Sequence, residues 1–316
     1  MRTAHTPVPT PVPVPGHGAE DVVVDSEGWV LTGTEDGSVF RVRPDGGRID
    51  RVGSTGGRPL GLELLPDGRV LVCDSVRGLL ALDVSTGRTQ VLADLVHGQR
   101  ILVCNNAAVH TDGSIFFSDS SRVHPLERYE ADLAEDTASG RLLRRDPDGT
   151  VEVLVDGLRF ANGVALSADE SFVVVAQSGG RSVVRRWLSG PRAGQDESWV
   201  SDLPGYPDNV SRGTDGLIWV AVASPTLPSL ERVMKAPHLV RRASWRLPHR
   251  LRPTPPRSAR VMAFDDDGAL VHDLDLDPSA FHFVTGVREH EGRVWLGSLH
   301  ESAVAYVDLP SGADRS

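Results

Sequence analysis

The chain reads as all-β, specifically a six-bladed β-propeller. Three observations predict this. Six segments share one pattern: an apolar run, an acidic-residue-plus-Gly turn, and a second apolar run. Most are followed by a third strand-like run and often a fourth, so that the unit recurs about every 40–50 residues, the period of a propeller blade. The 316 residues are 40% hydrophobic, enough for a large core. No apolar run nears the roughly 20 residues of a membrane span.

The first copy is "EDVVVDSEGWVLTGT" (20–34), continued by "SVFRVRPDGGRIDRV" (38–52). The second, "LGLELLPDGRVLVCD" (60–74), continues in "GLLALDVSTGRTQVL" (78–92). The third, "NNAAVHTDGSIFFSD" (105–119), resumes after an insertion in "GRLLRRDPDGTVEVL" (140–154). The fourth is "NGVALSADESFVVVA" (162–176), followed by "SVVRRWLSG" (182–190). The fifth is "DNVSRGTDGLIWVAV" (208–222) and the sixth "VTGVREHEGRVWLGS" (284–298). Val, Ile, Leu, Phe and Trp on both arms favour β-hairpins. Gly supplies the positive φ of the turn. Glu170 takes the Gly place in the fourth copy, which predicts an irregular turn there.

Two insertions lengthen the spacing. Residues 121–139 are polar, with a helical rhythm at Leu126, Tyr129 and Leu133. Residues 225–258 are rich in Pro and Arg. Both leave a blade between its second and third strands, so both emerge on one face and are expected to form lids over the channel mouth. At the N-terminus, Pro stands at 7, 9, 11, 13 and 15. Alternate prolines strip donors from one strand edge only, which suits an outermost strand. Residues 8–14 are therefore expected to complete the last blade, with a polyproline-II tail as the alternative. Blades cannot bury their faces alone, so residues 1–316 are read as one domain.

The net charge of −10 argues against a nucleic-acid surface. With no membrane span and no apolar signal segment after Met1, a cytoplasmic protein acting on a small molecule is expected. Cys73 and Cys104 fit no zinc motif and are read as buried thiols rather than a disulfide.

All four asparagines stand in front of apolar runs: Asn105, Asn106, Asn162 and Asn209. Indexing each copy by its turn glycine explains this. Eight residues earlier come Glu20, Leu60, Asn105, Asn162, Asp208 and Val284. These are equivalent positions at the start of the innermost strands, which line a propeller's channel. Two carboxylates and two amides, Glu20, Asn105, Asn162 and Asp208, form an all-oxygen set suited to Ca²⁺. One place later, Asp21, Asn106 and Asn209 are expected to form a second polar layer that holds ligands or binds substrate, beside Thr285. Leu60 and Val284 are expected to make the wall apolar.

Five stretches, "GAEDVVVDSEGWVLTGTEDG", "GRPLGLELLPDGRVLVCDS", "DGLRFANGVALSADESFVVVA", "LPGYPDNVSRGTDGLIWVAV" and "GRVWLGSLH", resemble the strictosidine synthase-like family. The paraoxonases, gluconolactonases and diisopropylfluorophosphatase are its relatives. The resemblance runs from about residue 17 to 309 and implies a six-bladed propeller. In the hydrolytic relatives it implies a central Ca²⁺ held by Glu, Asn, Asn and Asp in that order, which falls on Glu20, Asn105, Asn162 and Asp208. The synthases proper use a sixth-blade glutamate; aligned on "REHEG" (288–292), that place is Thr285 here, which cannot act as a base.

The function expected is a calcium-dependent hydrolase of esters or lactones. Asp208 is the expected general base or nucleophile, and His300 in "GSLH" the second acid/base. His17, His110, His124 and His282 are weaker candidates. The alternative is a biosynthetic condensing enzyme, cyclase or lyase. A third reading is a non-catalytic binding propeller with structural calcium.

Overall fold

The computed structural model describes residues 6–237, 240–241 and 256–310. Six four-stranded antiparallel sheets account for nearly all the strands. Their innermost strands are Val23–Val24, Pro59–Leu64, Cys104–Val109, Ala161–Leu166, Gly205–Arg212 and Val284–His290. In the first five sheets the next three strands follow in chain order. This is a six-bladed propeller.

The sixth blade is completed from the other end of the chain. Thr10–Pro13 pairs antiparallel with Ala303–Tyr306, with Val12 opposite Val304. The strand is shorter than 8–14, and Val8 is half exposed. Val12 and Val14 turn inward and pack with Val22, Phe40 and Trp295, while Pro11 and Pro13 face solvent. The alternation of Pro and Val thus separates a hydrogen-bonding, buried side from one that needs no donors.

Each interface between successive blades holds its own apolar core. Trp219, Phe281 and Leu296 pack between the fifth and sixth blades, and Phe117, Leu71 and Leu143 between the second and third. Six such clusters run round the ring. Cys73 and Cys104 are both free thiols buried in one of them.

Every inner strand runs from the channel mouth to its hairpin turn, and the second strand returns to the mouth. The insertion face is therefore also the face where the inner strands begin. The first insertion carries a helix, Tyr129–Glu135, and the second carries Pro228–Met234. The two pack against one another. Asp136, left-handed at the end of the first helix, binds Arg159 and faces Arg241 of the second insertion at 3.3 Å. Residues 238–239 and 242–255 of that insertion lie outside the described residues. Among the described residues no helix is long and apolar enough to cross a membrane.

At the opposite end, Glu170 does adopt positive φ in place of Gly (φ 56). Its carboxylate accepts the Thr111 N–H of the preceding blade and faces His110 Nε2 at 3.3 Å. An inter-blade clasp accompanies the strained turn.

Candidate metal centre and active site

In five blades the pairing of inner and second strand slips just past the strand start, between Pro59 and Leu62, Cys104 and Ala107, Ala161 and Val164, Pro207 and Val210, and Val284 and Gly286. Bulges re-aim side chains and free backbone groups from the ladder. The slipped residues include Leu60, Asn105, Asn162, Asp208 and their successors.

The resulting hydrogen bonds are lopsided. Asn105 Nδ2 donates to Ser120 Oγ at 2.9 Å, and Asn162 Nδ2 to Ser178 Oγ at 3.2 Å. Asn209 Nδ2 donates to Glu20 Oε1 at 3.3 Å. Each amide nitrogen is thus fixed, while Asn105 Oδ1, Asn162 Oδ1, Asn209 Oδ1 and Glu20 Oε2 are buried without any donor. All four residues are at most 3% exposed. Buried oxygens rarely stay unpaired. Four of them from four blades form an all-oxygen donor set whose chemistry fits a cation.

The electrostatics agree. Burial, then the neighbouring Asp208 and Asp21, holds the Glu20 carboxyl well above the usual carboxylate range. Burial pushes Asp208 up to about 7, against the Asn162 side chain and the Asn209 N–H that favour its charge. Desolvated carboxylates at one centre stay ionised only with a positive partner. Among the described residues no three His, Cys, Asp or Glu side chains group as metal ligands. The donor set therefore depends on amide oxygens, which suits a hard cation such as Ca²⁺ and not zinc.

The next register does something else. Asp21 Oδ2 accepts the Leu62 N–H at 2.9 Å and the Asn106 amide at 3.3 Å. Asn106 Oδ1 accepts the Val164 N–H at 2.8 Å. The Thr285 hydroxyl donates to the Glu20 carbonyl at 2.8 Å. These side chains stitch the sixth, first, second, third and fourth blades together, mostly neighbour to neighbour. Gly61 and Gly163 leave the space they need: a Cβ on Gly61 would lie 2.7 Å from Asn106 Nδ2, and one on Gly163 only 2.0 Å from Val210 N. Asp21, Asn106 and Thr285, expected to hold ligands or bind substrate, make these bonds within the scaffold. Asn209 differs, since its Oδ1 is buried without a donor, like those of Asn105 and Asn162. The expectation for Val284 is corrected: the bulge turns it into the core between the fifth and sixth blades. Leu60 is buried but belongs to none of the inter-blade cores.

Asp21 is pushed up to about 6 by burial, moderated by Arg288. Arg288 donates to Glu63 at 2.9 Å, tying the sixth blade to the second below the ring.

The histidines scatter. His300 lies at the mouth, stacked on Phe283 with ring centroids 4.1 Å apart, and burial with nearby His282 lowers its pKa. His282 bonds Glu301, and His17 faces Glu35 at 3.4 Å. His124 faces Glu135 within the first insertion at 3.1 Å. His110 sits at the far end of the channel, in the clasp with Glu170, and is removed from the candidates. Ser120 and Ser178 escaped the sequence reading; their signal was a serine just after the second strand of the third and fourth blades.

Fold and site together define a six-bladed propeller with a cluster of buried, unpaired oxygens at the channel mouth. The chain belongs to the strictosidine synthase-like family. The family described as "Strictosidine synthase" matches residues 105–191, and "Strictosidine synthase-like, N-terminal" matches 11–42. The chain is 31% identical over 299 residues to protein strictosidine synthase-like 6 of Arabidopsis thaliana, covering 92% of this chain and 78% of that protein. It is 32% identical over 264 residues to protein strictosidine synthase-like 13 of the same plant, covering 80% of this chain and 62% of that protein. Among solved structures, a gluconolactonase from Xanthomonas campestris superposes with a TM-score of 0.69 at 17% identity, covering 98% of this chain and 99% of that one. Regucalcin from Agrobacterium tumefaciens, described as a calcium-binding protein, superposes with a TM-score of 0.67 at 14% identity, covering 96% and 95%. Identities this low establish the shared fold alone.

Proposed function

We propose that the protein is a calcium-dependent hydrolase of small, partly apolar lactones or esters. One observation carries the reading: the four buried, donorless oxygens of Glu20, Asn105, Asn162 and Asn209. Glu20, Asn105, Asn162 and Asp208 would hold the ion, with Asn209 as an additional oxygen. When bound, Ca²⁺ supplies Lewis-acid stabilisation of negative charge on a carbonyl oxygen.

The chain's own groups do the rest. Asp208 accepts the proton of the attacking water, or attacks the carbonyl itself. Asn162 and Asn209, beside it, hold that carboxylate in place. The helices Tyr129–Glu135 and Pro228–Met234, which reach Phe160 and Tyr206 at the mouth, would limit water access. His300, exposed at the mouth and stacked on Phe283, is the candidate to exchange a proton with the leaving oxygen.

Family membership favours a second reading, a biosynthetic condensing enzyme or lyase. Thr285 argues against the synthase form of that chemistry, because its hydroxyl is buried and already donated to Glu20. Turnover of a panel of lactones and aryl esters, with calcium and with chelator, separates the readings. Chelator-sensitive hydrolysis supports the first. With no hydrolysis of any panel member by the calcium-loaded protein, the biosynthetic reading takes its place.

A further inference from the structure

We propose that a second ring of side chains, two residues ahead of the metal ring, reads the substrate and selects one with a carboxylate at one end and an apolar body at the other. The proposal rests on the hydrolase reading for where the reacting bond lies. The ring comprises Gly18, Arg58, Val103, Phe160, Tyr206 and His282. Contacts place it on the insertion face: Phe160 lies beside Tyr129 of the first lid helix, and Tyr206 Oη donates to Glu231 of the second.

Arg58 carries the charge argument. Its side chain is 13% exposed, and Nη1 is buried without a hydrogen-bond partner. Its ion pair with Glu35 Oε2 is long, 3.6 Å, beyond hydrogen-bond range. The other carboxylates around it are Glu20, Asp74 and Asp36. Asp74 Oδ1 accepts the Val76 and Arg77 N–H groups, its Oδ2 is itself buried without a donor, and Asp36 accepts from Ser38 and Thr34. Glu20 faces Asn209 and the cation centre. A buried guanidinium with an unused N–H is costly unless a ligand completes it. Its planar fork matches a carboxylate in shape and charge. Gly18, at φ 68, makes room: a Cβ there would lie 2.8 Å from Arg58 Nη2. In ring order His282 comes next on the other side of Gly18, its ring 5.8 Å from that of His300.

The opposite sector is apolar. Val103, Phe160 and Tyr206 are 0%, 5% and 6% exposed, yet none belongs to the six inter-blade cores. Phe160 holds a left-handed backbone (φ 61), unfavourable for an aromatic residue. It does so immediately before Ala161 and the ligand Asn162, and strain of this kind concentrates at binding sites. A molecule lying across the mouth would set its carboxylate against Arg58 and its hydrocarbon against Phe160 and Tyr206.

Phenylacetate, its neutral isostere phenylacetamide, and acetate are the probes, titrated calorimetrically into the calcium-loaded full chain. Phenylacetate is expected to bind at least about tenfold more tightly than either of the others. Arg58→Met should weaken phenylacetate by about tenfold or more while Arg58→Lys, which keeps the charge without the fork, falls between. Phe160→Leu should narrow the gap between phenylacetate and acetate. Equal binding of acid and amide overturns the proposal, as does phenylacetate affinity that survives Arg58→Met, since the carboxylate would then sit on the metal. Melting curves show whether each variant is folded, and Arg58→Lys serves where Arg58→Met is not. The result is separable from the hydrolase reading: Arg58-dependent binding without ester turnover leaves this ring in place and removes the reaction.

Discussion

The side-chain amide of Asn209 donates to Glu20 Oε1 at 3.3 Å, joining residues 189 positions apart and closing the fifth blade onto the first. The same amide leaves its own oxygen buried and unpaired beside the unpaired Glu20 Oε2. In the proposed centre Asn209 would therefore both orient Glu20 and offer another oxygen. Asn209→Leu removes both and should lower calcium affinity by about 10–100-fold, the usual effect of losing such a supporting contact. Calorimetric titration with Ca²⁺ measures it. An affinity within twofold of wild type would place Asn209 outside the centre.

Asp208→Asn preserves one oxygen but removes the proton acceptor and the nucleophile. Ester turnover should fall by about 100-fold or more, the scale of lost general-base catalysis. Calcium binding should persist, weakened by the missing charge. Thr285→Ala should leave turnover within about tenfold, since its hydroxyl only ties the sixth blade to the Glu20 carbonyl. Kinetics of both variants on one accepted ester decide the matter, and the reverse pattern points to synthase-type chemistry.

Metal-free protein should lose stability as pH rises. Asp208 at about 7 and Asp21 at about 6 both stand above their ordinary 3.8 in the folded chain, and Glu20 is raised as well. Between about pH 4 and 7 the unfolded chain gives up these protons first, so the folded state is penalised progressively over that window. The favourable contribution is intact below about pH 4 and gone above about pH 7. Calcium requires the ionised ligands and reverses the trend. Melting temperatures in chelator, compared between wild type and Asp208→Asn, should show the shallower decline in the variant. Parallel curves would mean that Asp208 does not titrate in this range.

Deleting residues 1–15 exposes the edge of Ala303–Asp308 and removes Val12 and Val14 from the core between the sixth and first blades. Two buried valines are worth about 3–6 kcal/mol together. Thermal melting should fall by about 6 °C or more. An unchanged melting curve would show that the ring closes without its outermost strand.

The sequence by itself determined the ring and its register. A repeat along the chain becomes rotational symmetry in space, so residues at one offset from the turn glycine must meet round the axis. That logic set Glu20, Asn105, Asn162 and Asp208 together before any coordinate, and the alternating prolines marked the closing strand. Local hydrogen bonding and strand periodicity are written in nearest neighbours, which is why they were legible. Only the tertiary structure decided which way each side chain faces. The bulges turn Val284 into a core and commit Asp21, Asn106 and Thr285 to blade-to-blade bonds. They leave the amide oxygens at the centre while Ser120 and Ser178 hold the nitrogens. The unpaired guanidinium of Arg58 belongs to the same class. Whether a polar group finds a partner depends on atoms brought from blades far away in the chain, and no local pattern encodes that.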